Sequence, residues 1–424
     1  MTRPRAVVVV TGSELVRGER TDRNGPFLAR ELLSLGVEPA RVVIVGDAEA
    51  ELEDALREAL AGADLVVTSG GLGPTHDDRT VELVARAAGK GLSVDPGLET
   101  RIESFSRAIA ERLSRPYADF AEGVTKQATL PEGALVIGLA GTAPGLALEA
   151  GETAVVILPG PPAELQRLWP AAVASAPVQR VLARARPPQR RVLRFYGASE
   201  SAVARALAEA GGDGDGVEAT ICARDFEIHV DLVVDPGAEG RADVLAAAIR
   251  APVEKYLFSE DERPVEAVVL DLCRARGLTL ATAESCTGGM VGARLTSVPG
   301  SSEAYLGGVV AYADAVKVGE LGVSQELLER HGAVSAEAAA AMAAGVRERL
   351  GADVAVAVTG IAGPGGGSAE KPVGLVDLHA EGPDGALARE LDFPGDREAI
   401  RARAAVAALH LLRTLLTRSG DGSV

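Results

Sequence analysis

Six consecutive residues, Glu284-Ser285-Cys286-Thr287-Gly288-Gly289, are of the types that acyl-transfer chemistry uses. They follow an apolar run, 278–283, that reads as a strand, and precede 290–295, which reads as the first turns of a helix. A strand that ends in small hydroxyl residues and glycines before a helix gathers side-chain oxygens and free backbone N–H groups. They meet where the helix dipole favours anions. Ser285 is thereby a candidate nucleophile beside ready-made oxyanion donors. Ser285 or Thr287 would serve equally as a helix cap, a common use of both residues.

A second stretch, Ser69-Gly70-Gly71-Leu72-Gly73-Pro74-Thr75-His76-Asp77-Asp78-Arg79-Thr80, follows the apolar run 64–68. Glycines after a strand let backbone N–H groups approach phosphate oxygens, which selects Gly70, Gly71 and Gly73. Asp77 and Asp78 offer hard oxygen ligands for a divalent cation. Glu14 and Asp22, in the polar loop 11–24, would complete a metal–phosphate site. The competing reading has Asp77 or Asp78 capping the next helix and the glycines serving a turn. Lys126 is a candidate phosphate contact or simply a solvated lysine.

These loops need a frame to hold them. Strands at 6–10, 42–45 and 64–68 alternate with helices at about 26–35, 49–60 and 80–88. That alternation predicts a doubly wound α/β domain, with ligands at the carboxyl ends of its strands. Residues 91–125 read as helical with a break near Pro116; 126–128 leads into GTAPG at 141–145, and 154–158 reads as a strand. A turn into a helix then closes the domain near Pro170. Residues 190–258 read as a separate small α/β domain, with strands at 192–196, 219–222 and 227–234 and helices at 199–210 and 241–256; His229 in its alternating strand reads as structural. Arg263-Pro264 opens the last domain: helix 265–276, strands 308–312, 354–358 and 375–379, helix 335–350 and a final helix to about 417. The domains are thus 1–172, 173–260 and 261–418, with a tail at 419–424.

The totals fit this frame. At 424 residues with 47% hydrophobic and 3% aromatic residues, the chain builds several aliphatic cores. No apolar run reaches the length of a membrane span. Cys222, Cys273 and Cys286 are odd in number and far apart, which fits a reducing cytoplasm rather than a disulfide framework. A net charge of −17 repels polyanions and argues against nucleic-acid binding; the basic run 180–194 surrounds Pro187-Pro188 and marks a linker.

Three loops together, AESCTGG, VAYADAVK and TGIAGPGGGSAEKPVG, resemble the C-terminal domain of the CinA family, which is similar to bacterial nicotinamide mononucleotide amidases. TGSELVRGERTDRN, SGGLGPTHDD, GTAPG and LPGPPAEL resemble the other half of that family, a molybdopterin-binding-type domain linked there to ADP-ribose pyrophosphatase activity. The resemblance covers nearly the whole chain. It implies an α/β protein: a doubly wound molybdopterin-binding-like domain, a small KH-like α/β middle domain and an α/β/α amidase domain. It also implies a homodimer.

For the C-terminal domain the resemblance implies hydrolysis of nicotinamide mononucleotide to nicotinic acid mononucleotide and ammonia, without a cofactor. Ser285 would be the nucleophile, Lys317 its base and Tyr312 a proton relay or orienting group. Backbone N–H groups near Gly288 and Gly289, beside Thr287, would hold the oxyanion. Thr359, Gly360 and Arg397 would meet the nucleotide phosphate. Cys286 is the rival nucleophile, read as a packing residue. Lys317 must be neutral to accept a proton, so Glu284 and Asp314 are expected to point away from it or to contact substrate. For the N-terminal domain the implied reaction is cleavage of ADP-ribose to AMP and ribose 5-phosphate with a divalent metal ion. Glu14, Asp22, Asp77 and Asp78 would hold the metal, and Gly70, Gly71, Gly73 and Lys126 the phosphates. The chain departs from the family at Asp314 and Gly138, where Asn is common. Two competing readings are a pterin or nucleotide binding module without hydrolysis, and an interaction protein in competence or recombination.

Overall fold

The computed structural model describes residues 3–224 and 226–418. They fall into two compact units, one from the chain up to Gln189 with Asp235–Gly237, the other from Arg190–Val234 and Ala238 onward. No helix among the described residues is long and apolar enough to cross a membrane.

The first unit contains β1 (Arg5–Thr11), α1 (Ser13–Val16), α2 (Asn24–Ser34), β2 (Glu38–Val45), α3 (Glu49–Gly62), β3 (Leu65–Ser69), α4 (Thr80–Ala87), β4 (Leu92–Val94), α5 (Pro96–Leu113), α6 (Ala118–Gln127), β5 (Thr129–Pro131), β6 (Leu135–Ala140), β7 (Ala143–Ala150), β8 (Thr153–Leu158), α7 (Pro162–Ala174) and α8 (Ala176–Leu182). Its main sheet has the order β2-β1-β3-β8-β7-β6; the first four strands are parallel and the last two antiparallel. The unbroken Val run of β1 follows from burial on both faces. Ala6, Val8 and Val10 pack on the side of α2 and α7, and Val7 and Val9 on the side of α3 and α4. Val10 pairs with Ser69, so the loops after β1 and β3 leave the sheet side by side.

Three expectations change here. The 91–125 stretch opens with β4, and its helix breaks at Ser114, which is left-handed, just before Pro116. The 135–150 stretch is a β6–β7 hairpin around Gly141; its small residues give no alternation to signal strands. Helix α7 runs through Pro170, and α8 adds Val178 and Val181 to the same core.

The second unit begins with β9 (Gln189–Tyr196), α9 (Glu200–Glu209), β10 (Val217–Arg224), β11 (Glu227–Val234), α10 (Glu239–Arg250) and β12 (Leu257–Ser259), whose strands form a small sheet in the order β10-β11-β9-β12. It continues with α11 (Val265–Ala275), β13 (Leu280–Glu284), α12 (Met290–Thr296), β14 (Tyr305–Val310), α13 (Asp314–Leu321), α14 (Gln325–His331), α15 (Ala336–Leu350), β15 (Val354–Gly360), β16 (Leu375–Gly382), β17 (Gly385–Asp392) and α16 (Arg397–Arg418). The sheet order is β14-β13-β15-β16-β17, with β14, β13 and β15 parallel. Valines of β15 face α11 and α16, while Ala281, Ala283, Ala355 and Ala357 face α15. Edge strand β17 was not expected, because GALARELD is mostly exposed and lacks an apolar face.

Helix α16 is buried without interruption from Ala404 to Leu412, since the small sheet covers its outer side. His410 carries the contact: its Nε2 lies 2.7 Å from Glu227 Oε1. Burial alone would raise the Glu227 carboxyl, but the His229 and His410 imidazoles hold it down at about 2. Burial holds His410 down at about 4 against the pull of Glu227. Unfolding therefore takes up protons on His410 below its ordinary 6.5 and on Glu227 below 4.5. Stability is expected to fall as pH drops through 6.5 towards 4, and further towards 2. The His410 share is at most on the order of 3 kcal/mol. Urea midpoints across pH 4 to 8 measure it; His410→Phe should flatten the limb between 6.5 and 4, and an unchanged limb would assign the titration elsewhere.

Candidate active sites

The Ser285 turn is held from three sides. Ser285 N–H donates to Val358 O at 2.8 Å, and Ala311 N–H to Glu284 O at 2.8 Å, tying the end of β13 to both neighbours. Strand alternation puts Ser285 on the face of Ala281 and Ala283, towards α15. Its hydroxyl makes no hydrogen bond among the described residues and is 8% exposed. The residue that closes the following helix is Glu284: its buried carboxylate accepts from Gly289 N and Val291 N at 3.0 Å and Gly292 N at 2.8 Å. Neither Ser285 nor Thr287 caps α12, which settles the alternative left open by the sequence.

This arrangement corrects the expected oxyanion donors. Gly289 N–H is committed to Glu284, and Gly288 N–H to Ser285 O at 3.1 Å. The N–H groups of Cys286 and Thr287 donate to no oxygen among the described residues and face the Cys286 sulfur. Thr287 is fully buried, and its hydroxyl has no partner. Cys286 lies on the opposite face, packed with Val291 and Ala404, and burial pushes its thiol up to about 12. A thiol so placed holds almost no thiolate at neutral pH.

Lys317, in α13, is 2% exposed. Its Nζ donates to Asp314 Oδ1 at 3.1 Å and to Tyr312 O at 3.5 Å. The expectation that Asp314 points away is therefore overturned: one helical turn places the two side chains together. Glu284, as expected, is turned elsewhere. Tyr312 is 58% exposed, and its hydroxyl accepts from Arg397 Nη2 at 2.6 Å, while Arg397 Nη1 donates to Gly363 O at 2.7 Å. Arg397 thus bridges the loops after β14 and β15. Arg401 braces the turn itself, donating to Cys286 O at 3.0 Å and Thr287 O at 2.9 Å. Thr359 is buried and spends its hydroxyl on Ala333 O at 2.6 Å; Gly360 is paired to Val376 within the sheet. Neither presents a side chain to a ligand.

Sequence reading missed Arg401, Asp377 and the part Glu284 plays in closing α12. Asp377 pairs with Thr359 on the α15 face, is 2% exposed, and burial raises its carboxyl to about 6. Its signal was a carboxylate between Val376 and Leu378 in the apolar half of β16.

In the first unit a cleft of about 570 Å³ is lined by Glu14, Arg20, Asp22, Asn24, Ser69 and Gly160. A smaller one of about 180 Å³ lies beside Gly71, Gly73, Asp78, Lys126 and Gln127. A third, of about 300 Å³, shares Gly160 with the first and Gly71, Gly73 and Asp78 with the second, so the three form one trench. The N–H groups of Gly71, Leu72 and Gly73 donate to nothing among the described residues. Gly70 N–H is spent on Leu158 O at 3.0 Å. Gly71 has φ +66°, and a Cβ there would lie 2.1 Å from Thr80 Oγ1, so only glycine fits.

The four expected metal ligands do not converge. Asp22 accepts from Asn24 N at 2.8 Å and Gly25 N at 3.0 Å at the start of α2. Asp77 and Asp78 both accept from the Thr75 hydroxyl, and Lys126 Nζ donates to Thr75 O. Neither aspartate caps α4. Among the described residues no three His, Cys, Asp or Glu side chains gather to hold a metal ion. The donor set thus does not fit a single metal shared by all four carboxylates.

Comparison with known proteins matches residues 262–416 to the CinA C-terminal domain and residues 7–177 to the probable molybdopterin binding domain. The CinA-like protein of Mycolicibacterium gilvum is 46% identical over 422 residues, covering 98% of this chain and 99% of its own. That of Mycobacterium tuberculosis (strain CDC 1551 / Oshkosh) is 45% identical over 422 residues, covering 97% of each. The crystal structure of competence/damage inducible protein CihA from Agrobacterium tumefaciens is 42% identical, with a TM-score of 0.35, and covers 37% of this chain and 99% of its own. With both domain matches and near-full-length relatives at this identity, the chain belongs to the CinA family, with a molybdopterin-binding-like domain ahead of its CinA C-terminal domain.

Proposed function

We propose that the C-terminal site deamidates nicotinamide mononucleotide. The observation that carries this is the end of β13: Ser285 keeps a free hydroxyl on the α15 face, where α13, the helix of buried Lys317, packs through Leu321, while Cys286 is turned into the opposite core. Lys317 first gives up a proton to solvent and leaves Asp314 as a neutral amine; Ser285 Oγ then attacks the carboxamide carbon as its own proton passes to Lys317. The N–H groups of Cys286 and Thr287, which are bonded to no oxygen and meet only the weakly accepting Cys286 sulfur, receive the oxyanion. The C–N bond then breaks, Lys317 returns the proton to the leaving ammonia, and water hydrolyses the acyl-serine to the carboxylate. Tyr312 and Arg397, joined at the exposed edge, orient the nucleotide. A homodimer belongs to the same reading; Leu306 and Val310 stand exposed on edge strand β14 and Tyr312 just beyond it, and sedimentation measures the assembly.

For the first unit we propose cleavage of ADP-ribose to AMP and ribose 5-phosphate. Three unspent N–H groups at Gly71, Leu72 and Gly73, with Lys126 on the same cleft, form a cradle for pyrophosphate oxygens. No step is assigned to a metal ion. Ammonia released from nicotinamide mononucleotide and AMP released from ADP-ribose test both halves. Ammonia release is expected to survive chelation unchanged. AMP release with or without an added divalent cation supports hydrolysis. Binding of ADP-ribose with no AMP under either condition would leave the unit a binding module.

A further inference from the structure

One buried polar cluster in the second unit takes no part in either proposed reaction. Glu227, at the start of β11, is 3% exposed, and His410, in the middle of α16, is 1% exposed. Glu227 Oε1 meets His410 Nε2 at 2.7 Å, and its Oε2 meets His229 Nε2 at 3.0 Å. A carboxylate only accepts, so His410 carries its proton on Nε2, which leaves Nδ1, buried without a partner, as the bare lone pair. Tyr196 stacks on the imidazole at 3.7 Å and 7°, and Phe258 meets it edge-on at 4.7 Å. Arg403 lies over Phe226 at 4.4 Å and Arg413 over Phe258 at 5.7 Å. One side of α16 is thus seated on the small sheet at three places.

The other end of the same helix holds the catalytic turn. Arg401 donates to Cys286 O and Thr287 O, and Arg397 to Tyr312 Oη and Gly363 O. At about 1.5 Å of rise per residue, His410 lies roughly 14 Å along the axis from Arg401. Between them the buried helix surface is Ala404, Ala405, Val406, Ala407, Ala408 and Leu409, mostly short side chains whose apolar contacts are not directional. A directional bond to a fixed carboxylate selects one packing. For stability alone an apolar side chain at 227 would do as well, because burying a charge costs much of what its partners return.

We propose that Glu227 is a positioning residue of the amidase site, which acts through His410 to fix the height and rotation of α16. That in turn sets Arg397 and Arg401 against the Ser285 turn. This rests on the amidase reading for its catalytic consequence, though not for the mechanical coupling. The test uses the full chain with Glu227→Leu, Glu227→Gln and His410→Phe. Gln keeps an acceptor for His410 Nε2–H; Leu removes it; Phe keeps the stack on Tyr196 and removes the donor. Amide hydrogen exchange is followed across 284–292 and 397–403, together with kcat and KM for nicotinamide mononucleotide.

Glu227→Leu and His410→Phe are expected to speed exchange in both segments about fivefold and to lower kcat/KM by a similar factor, with Glu227→Gln within about twofold of the parent. Faster exchange confined to β9–β12, with 284–292 and kcat/KM unchanged, would overturn the proposal and leave the cluster as interface packing. Should Glu227→Leu not fold, His410→Phe carries the same comparison. If the parent chain releases no ammonia, the amidase reading fails, and the exchange data still decide the coupling by themselves.

Discussion

Replacing Ser285 with alanine is expected to lower turnover of nicotinamide mononucleotide by several orders of magnitude, on the order of 10⁴-fold, and Lys317→Ala by a comparable factor. The double variant should be little worse than either, because nucleophile and base act as one unit. Cys286→Ala should cost less than about tenfold, or ~1.4 kcal/mol of barrier. The contrast follows from strand alternation. Ser285 emerges on the α15 side with an unspent hydroxyl, whereas Cys286 lies among Val291 and Ala404 with its thiol pushed up to about 12. Ammonia release by the four variants under steady-state conditions is the measurement. A dead Cys286→Ala beside a live Ser285→Ala would make the thiol the nucleophile.

The order of strands and helices could be read from the chain because its periodicities are plain. The Val run of β1, the Ser285 strand and the Ala-rich α15 all lie within a few residues of where pattern places them. The β6–β7 hairpin escaped because Gly138, Gly141 and Gly145 break any alternation. At the sites, residue type was readable and hydrogen-bond commitment was not. Glycine N–H groups at 288 and 289 looked free in the sequence; only the folded turn shows Glu284 and Ser285 O occupying them. Four acidic residues in two neighbouring loops looked like one metal site. In the fold Asp22 is spent on α2 and Asp77 and Asp78 on Thr75, since short polar side chains satisfy nearby backbone and hydroxyl groups first. Likewise Asp314, one turn before Lys317, was bound to meet it once α13 formed.

Gly345→Ala is expected to destabilise the second unit by about 2–4 kcal/mol, although alanine is the better helix former by roughly 1 kcal/mol. Gly345 lies inside α15, and a Cβ there would fall 1.8 Å from Leu321 O and 2.7 Å from Leu321 C. Both are backbone atoms at the end of α13, so no rotamer change relieves the contact; one helix must move off the other. Lys317 is one turn before Leu321 in α13, so the same movement shifts the base relative to Ser285. The variant should therefore lose turnover as well as urea resistance. Gly319→Ala supplies the control: it is an exposed position of α13 with nothing within 4 Å of the added Cβ. It should gain up to about 1 kcal/mol from propensity alone. Urea midpoints for the two variants decide the matter, and a Gly345→Ala chain as stable as the parent would mean that α13 and α15 do not pack backbone to backbone at this crossing.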